Sequence, residues 1–329
     1  MNIPTWVWIA SVGVTVLFLV FDVIHMMRNP HTPTMRECLR HLAFFVGSAV
    51  LFGIGVWYFA GYDYGLQFFA GWLTEYSLSI DNLFIFLIIM SKFAVPEKLQ
   101  QTALMVGIMI ALVLRGIFIA VGATLINQFA WIFYLFGAFL IYTAVKLAFE
   151  GESDDDEYEE NAFTKWVTRR FPATDQWHGP KMFAQVDGKR VITPMFLVIL
   201  ALGTTDLLFA LDSIPAIFGL TKEPFLVLMA NIFALMGLRQ LYFLIGGLLK
   251  RLVYLGLGLA VLLAFIGVKL ILHAMHENTL PFINGGHHIE WAPEIPIAVS
   301  LGAIVLILGV TTIASLWKSK KDERAGLEH

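Results

Sequence analysis

The segment TEYSLSIDN, residues Thr74–Asn82, places two carboxylates inside an apolar run that continues to Met90. These carboxylates belong to Glu75 and Asp81. Ionisable side chains at membrane depth are costly unless they are paired or coordinated, so they indicate a functional site by default. This segment therefore predicts a membrane-spanning helix with a site built into it.

The same pattern recurs in TDLLFALDS, residues Thr205–Ser213. Asp206 precedes Asp212 by six residues, as Glu75 precedes Asp81, and a small polar residue again follows the second acid. The two acidic segments predict a pair of helices around which the other helices are arranged.

Composition supports a membrane location for the whole chain. It has 329 residues, of which 58% are hydrophobic and 14% are charged, whereas soluble domains carry about 25% charged residues. A single cysteine, Cys38, excludes a disulfide within the chain. The sequence shows no nucleophile–base arrangement and no phosphate loop, so we expect neither an enzyme nor an organic cofactor, and no nucleic-acid partner.

Nine segments have the roughly 20 apolar residues that a membrane span requires. They cover residues 5–27, 42–60, 66–90, 103–126, 130–149, 194–219, 225–247, 253–273 and 295–317. We divide the chain into two N-terminal spans (1–65), a first three-helix repeat (66–150), a polar cytoplasmic loop (151–193), a second repeat (194–273), an outer loop (274–294) and a last span with a cytoplasmic tail (295–329). The acidic run in the polar loop is typical of a solvated linker, and a cation-attracting loop is the alternative.

Lys and Arg residues predict the orientation. With the N-terminus outside and the C-terminus in the cytoplasm, 17 of the 22 basic residues fall on the inner side and only Lys222 falls on the outer side. This bias is the one that multi-pass proteins show. It predicts a multi-pass protein of the inner (plasma) membrane.

An internal repeat relates two groups of three spans. Three landmarks recur in order: Glu75-x5-Asp81 with Asp206-x5-Asp212, Leu114-Arg115 with Leu238-Arg239, and Ala144–Leu147 with Gly267–Leu270. Because each copy has an odd number of spans, the second copy is inverted in the membrane. We therefore expect an all-α integral membrane protein with nine transmembrane helices and two inverted three-helix repeats, the layout of many secondary transporters.

The acidic helices offer oxygen ligands from both copies. The predicted metal ligands are Glu75, Asp81, Asn82, Asp206, Asp212 and Ser213. Carboxylate and neutral oxygens suit hard cations such as Mn²⁺, Ca²⁺ and Mg²⁺. The pattern predicts a transported divalent cation.

Basic residues within the spans support a second interpretation. Arg115 and Arg239 could bind the carboxylates, so that buried ion pairs hold the helices in register. Lys146 and Lys269 are further candidates for coupling or ion pairing. Acids bound to neighbouring arginines would count against transport.

Helix geometry limits each acidic pair. Six residues of a regular helix separate two side chains by about 120° around the axis and about 9 Å along it. Both acids can thus serve one ion only if the helix is interrupted; otherwise they serve different steps or sites. In the second copy Gly203 and Pro215 favour an interruption.

Two weaker candidates lie near the membrane surfaces. Asp22 with His25 indicates either an ion entry point or a capped helix end. In the outer loop His273, His276 and Glu277 could bind a metal ion, although flexible histidine-bearing loops are common.

The segments EYSLSIDNLFIF, DLLFALDSIPAIF, GLRQLYFL and FIGVKLIL resemble the TerC/Alx family of bacterial integral membrane proteins. The likeness covers residues 5–320, and the family is related to exporters similar to the lysine exporter. It implies Mn²⁺ export, with links to alkaline pH and to tellurite resistance. Family members often carry Glu three residues before the acid matched by Asp206, where this chain has Gly203.

We therefore expect a Mn²⁺ exporter, with another divalent ion such as Ca²⁺ as a possible cargo and proton coupling through the buried acids. The partners are then the divalent ion and the lipid bilayer, together with a second copy or other membrane proteins. The alternatives are a non-transporting scaffold in a stress-resistance complex and an exporter of an organic solute.

Overall fold

The computed structural model describes residues 3–28, 34–129, 131–150, 170, 172–174, 176–186, 189–245, 253–278, 280, 283–289 and 291–325. In these ranges the helices are α1 (Thr5–Arg28), α2 (Met35–Ala60), α3 (Tyr62–Lys92), α4 (Glu97–Gln128), α5 (Ile132–Glu150), α6 (Pro194–Phe218), α7 (Pro224–Ile245), α8 (Leu255–His276) and α9 (Ile297–Ala325). A hairpin of β1 (Phe183–Val186) and β2 (Lys189–Ile192) and a 3₁₀ turn at Asn284–Gly286 complete the elements.

The prediction of an all-helical membrane protein is confirmed. Each of the eight helices α2 to α9 is long enough and apolar enough to cross a bilayer. The described apolar stretch of α1 is shorter and covers Thr5–Phe18. The first span therefore stays a prediction.

Several helices begin before the apolar segment that marks them in the sequence. Helix α2 starts at Met35 instead of residue 42, because Thr34 and Glu37 form a capping box. The Thr34 hydroxyl accepts from the backbone N–H of Glu37 at 3.3 Å, and the Glu37 carboxylate accepts from that of Thr34 at 2.8 Å. Hydropathy finds the part of a helix that meets lipid, whereas caps decide where it starts.

The polar segment before α6 contains regular structure where it is described. Its last part is an antiparallel hairpin in which Phe183 pairs with Ile192. The hairpin leads into Thr193, whose hydroxyl donates to the carbonyl of Lys181 at 2.6 Å and accepts from the N–H of Phe196 at 3.4 Å. This capping anchors the start of α6. The acidic run lies outside the described residues.

Helix α7 lies at the centre of the bundle, where 94% of its membrane-spanning stretch is buried. It packs against α2, α3 and α4, while α6 packs against α3 and α4. Gly71 lies beside Ala230, and Gly237 lies beside Tyr76, so α3 and α7 run parallel. The acidic helices α3 and α6 therefore meet inside the bundle instead of facing lipid.

Helices α5 and α8 cross closely through two glycines. A Cβ atom on Gly137 would lie 2.8 Å from the carbonyl oxygen of Gly267, and one on Gly267 would lie 2.9 Å from that of Gly137. Gly137 and Gly267, which make this reciprocal contact, are 130 residues apart in the sequence. Lys146 and Lys269, which the predicted repeat treats as equivalent, are 123 residues apart, so the two pairings do not agree. The inverted repeat itself stays a prediction.

Candidate functional site

Arg115 lies between two of the predicted acidic residues. Its Nη1 donates to Glu75 Oε2 at 2.6 Å. Its Nε and Nη2 donate to the two carboxylate oxygens of Asp206, each at 3.1 Å. All three side chains are buried, with at most 2% exposed. We call this group the Arg115 triad.

Close packing of α4 against α6 positions the triad. Gly107 faces the side chain of Leu202, where an added Cβ would meet it at 3.4 Å. A Cβ atom added to Gly203 would likewise lie 3.3 Å from the side chain of Ile110. Gly203 therefore occupies a tight helix contact one turn before Asp206.

The triad holds one more negative than positive charge if both carboxylates are ionised. Buried charge that is not fully compensated is strongly unfavourable in a low dielectric. Glu75 Oε1 is buried and has no hydrogen-bond partner among the described residues. That oxygen is a position at which a cation could bind.

Other buried polar atoms on α3, α6 and α7 also lack partners within the described part of the chain. They are Trp72 Nε1, Thr74 Oγ1, Tyr76 Oη, Ser79 Oγ, Ser213 Oγ and both amide atoms of Asn231. A buried polar group without a hydrogen bond is costly, so such atoms usually mark ordered water or a ligand. They indicate a polar interior around the triad.

The structure brings Glu75 and Asp206 together and binds both to Arg115. This is the arrangement that the ion-pair interpretation predicts. Asn82 is buried at 3% exposure on the same face of α3 as Glu75, two turns further along. The side chains of Asp81 and Asp212, like that of Asp22, lie outside the described residues.

The predicted helix interruption is wrong. Helix α3 is continuous over Tyr62–Lys92 and α6 over Pro194–Phe218. Pro215 falls in the last turn of α6, where the helix ends and the N–H of Gly219 donates to its carbonyl at 3.0 Å. The alternative, in which the two acids of each pair serve different steps or sites, stays a prediction.

The other basic residues differ in environment. Arg239 is buried at 3% exposure, and its Nη1 lies 3.1 Å from the sulfur of Met105. Lys269 is half-buried and donates to the hydroxyl of Ser300 at 2.8 Å. Lys146 is exposed on α5.

The residues proposed for an outer-loop metal site form an ion-pair cluster. Lys222 donates to both carboxylate oxygens of Glu277, at 3.0 and 2.8 Å, and His273 lies 3.3 Å from the same carboxylate. His276 lies 3.9 Å from Glu294. Among the described residues, no group of three or more His, Cys, Asp or Glu could hold a metal ion. The metal assignment here stays a prediction.

Electrostatics at Glu277 follow from this cluster. Partial burial raises its pKa, but the hydrogen bond from Lys222 and the positive charges of His273, Lys222 and His276 lower it more. The pKa of Glu277 is consequently below its ordinary value.

A cavity of about 680 Å³ opens at the end of the bundle that carries the turn between α6 and α7. We call it the α6–α7 cavity. Its walls come from the start of α3, the α6–α7 turn, the end of α8 and the start of α9. Ionisable residues line it, namely Asp63, Lys222, Glu223, Lys269, His273 and Glu294.

Sequence reasoning missed Asn231, Gln67 and Thr221. Asn231 is fully buried in α7, and Thr221 donates to the side-chain oxygen of Gln67 at 2.6 Å. For Asn231, an amide within a predicted membrane span was the available signal, because it is costly there unless it has a function.

Comparison with known proteins gives a consistent picture. The family model described as "Integral membrane protein TerC family" matches residues 60–323. An uncharacterised membrane protein of Mycobacterium bovis is 47% identical over 317 residues, covering 95% of this chain and 80% of that protein. One from Myxococcus xanthus is 37% identical over 313 residues, covering 95% and 92%.

A protein of Escherichia coli K12 named putative membrane-bound redox modulator Alx is 35% identical over 322 residues, covering 95% of each chain. No solved structure matches. With eight apolar helices of spanning length among the described residues and a family match over most of its length, this chain belongs to the TerC family of integral membrane proteins.

Proposed function

We propose that this protein exports a divalent cation, Mn²⁺ in the first place, across the inner membrane through the interior polar site. The observation that carries the proposal is Glu75 Oε1, a buried carboxylate oxygen of the Arg115 triad that has no hydrogen-bond partner among the described residues. The binding of Glu75 and Asp206 to Arg115 itself counts against transport. A site of this kind requires a positive charge and therefore suits a positively charged cargo.

Arg115 gives the cation-free site its stability. Its guanidinium compensates one carboxylate charge while no cation is present, and a proton on Glu75 would compensate the other. Arrival of a cation would release the proton and loosen the contact between Arg115 and Asp206. Asp81 and Asp212 lie one and two-thirds turns further along α3 and α6, where they would receive the cation at a separate step.

The donor set favours a hard ion. The described buried oxygens come from carboxylate, hydroxyl and amide groups of Glu75, Asp206, Ser213 and Asn82. Such oxygens suit Mn²⁺, Mg²⁺ and Ca²⁺ more than soft metals. The resemblance to TerC and Alx proteins favours Mn²⁺ within this group.

The test is cation uptake into inside-out vesicles, in which export appears as accumulation. Mn²⁺, Ca²⁺, Mg²⁺ and Zn²⁺ are compared for the wild type and for Asp81→Asn and Asp212→Asn. We expect Mn²⁺ accumulation by the wild type and at least a tenfold loss in each variant. Glu97→Gln, which neutralises an exposed acid at the start of α4, is the matched control and should keep the wild-type rate.

Normal accumulation by both aspartate variants would overturn the proposal, as would a wild type that accumulates none of the four ions. Insertion of each variant is checked by its amount in the membrane fraction. Protection of cells against high Mn²⁺ should follow the same order as the vesicle rates.

A scaffold without transport is the second candidate, and the binding of Glu75 and Asp206 to Arg115 favours it, since buried ion pairs can hold helices in register. Deletion of residues 151–169 discriminates between the two. A scaffold that binds partners through this acidic loop would lose its function, whereas a transporter would keep its vesicle rate.

A further inference from the structure

The α6–α7 cavity and the Arg115 triad are linked by one face of α3. Gln67 lines the cavity. Gly71 lies one turn further into the bundle, and Thr74 and Glu75 lie one turn beyond Gly71. At about 1.5 Å per residue, the path from Gln67 to Glu75 is about 12 Å long.

Two contacts close this path. At the cavity, the Thr221 hydroxyl donates to the side-chain oxygen of Gln67 at 2.6 Å. One turn further along α3, Gly71 packs against Ala230 and Ile217. A Cβ atom on Gly71 would lie 3.6 Å from Ala230 and 3.7 Å from Ile217. The Gln67–Thr221 hydrogen bond therefore lies on the cavity side of an apolar constriction at Gly71.

Buried polar atoms without described partners lie below and beside the constriction. Thr74 Oγ1 and Glu75 Oε1 lie one turn inward on α3, and Asn231 follows Ala230 directly on α7. Thr74 and Asn231 are fully buried. The unpartnered atoms of Thr74 and Glu75 thus lie on the inner side of the constriction, and the α6–α7 cavity, which Gln67 lines, lies on its other side.

We propose that the α6–α7 cavity is the outer vestibule of the cation path, and that Gln67, Thr221 and Gly71 form its closed gate. Asn231 binds the cation through its amide oxygen as it passes the constriction. This inference deepens the proposed export function and rests on it. Opening requires the Gln67–Thr221 hydrogen bond to break and Ile217 to move away from Gly71.

The first experiment measures access from outside. Cys38 is replaced by Ala, and single cysteines are introduced as Gln67→Cys and Thr74→Cys. Intact cells are treated with a membrane-impermeant thiol reagent, with and without Mn²⁺ loading. We expect fast labelling of the Gln67→Cys variant in both states. Labelling of the Thr74→Cys variant should be at least tenfold slower at rest and should accelerate under Mn²⁺ load.

The second experiment blocks the constriction. Gly71→Leu fills the space between Ala230 and Ile217, and its matched control is Gly47→Leu, since nothing lies within 4 Å of a Cβ on Gly47. We expect Gly71→Leu to reduce vesicle Mn²⁺ accumulation at least tenfold and to abolish the accelerated labelling of Thr74→Cys. Gly47→Leu should change neither.

The outcomes separate the two proposals. A wild type that moves no cation overturns export and the vestibule together. If the wild type exports Mn²⁺, the gate is overturned when Gln67→Cys is protected from outside, when Thr74→Cys reacts as fast as Gln67→Cys at rest, or when Gly71→Leu transports normally. Asn231→Leu should reduce transport while leaving resting labelling of Gln67→Cys unchanged, and a normal rate would remove Asn231 from the path.

Discussion

Arg115 binds Asp206 through two hydrogen bonds of 3.1 Å each, from Nε and Nη2 to the two oxygens of one carboxylate. The planar guanidinium suits this geometry, and lysine could not reproduce it. Because Arg115 lies on α4 and Asp206 on α6, the pair ties the two predicted repeats together inside the bundle.

Replacing Arg115 should destabilise the protein strongly. Arg115→Gln leaves two buried carboxylates without a compensating charge, which costs about 3–5 kcal/mol when one partner of a buried pair is removed. We expect a lower thermal unfolding temperature in detergent, with Arg115→Lys intermediate because it keeps the charge but loses the double hydrogen bond. Arg40→Gln, at an exposed position of α2, is the control, and equal stability of all variants would contradict a stabilising triad.

Glu75→Gln should leave the stability of the protein intact but reduce transport. The substitution brings the net charge of the triad to zero while preserving the shape of the side chain. We expect unfolding at or above the wild-type temperature, together with at least a tenfold loss of Mn²⁺ accumulation. Destabilisation as large as that of Arg115→Gln would show that the charge of Glu75 is needed for folding instead.

The Lys222–Glu277 pair predicts a pH dependence of stability. Since the pKa of Glu277 is lower in the folded state than in the unfolded chain, its contribution is present above the unfolded pKa and is lost as the pH falls through the folded pKa. The pair is substantially exposed, so the effect should be no more than about 1 kcal/mol. Unfolding temperatures measured from pH 7 down to pH 3 should fall less in Lys222→Gln, and identical curves would contradict the assignment.

Gly137 should tolerate no larger residue. In Gly137→Ala the new Cβ would lie 2.6 Å from Ile271 Cγ1 and 2.8 Å from the backbone oxygen of Gly267, which cannot move aside easily. Overpacking of this kind costs about 1–3 kcal/mol. We expect reduced thermal stability, whereas Gly302→Ala in α9, with nothing within 4 Å, should unfold like the wild type.

The sequence alone determined the membrane class, the position of the apolar helices and the acidic residues within them. These properties are local: a run of apolar residues and the charges inside it can be read without knowing what packs against them. The same local logic failed at Pro215, because α6 stays helical on both sides of this proline, up to Phe218.

The tertiary structure alone decided which charges meet. Arg115 contacts Glu75 and Asp206 across 40 and 91 residues of chain, and only the packing of α3, α4 and α6 brings them together. The partners of Arg115, the reciprocal contact of Gly137 with Gly267, and the place of Gly71 beside Ile217 and Ala230 all depend on how helices approach each other. Hydropathy and spacing within one helix carry no information about that approach, because they do not depend on which helix lies next to it.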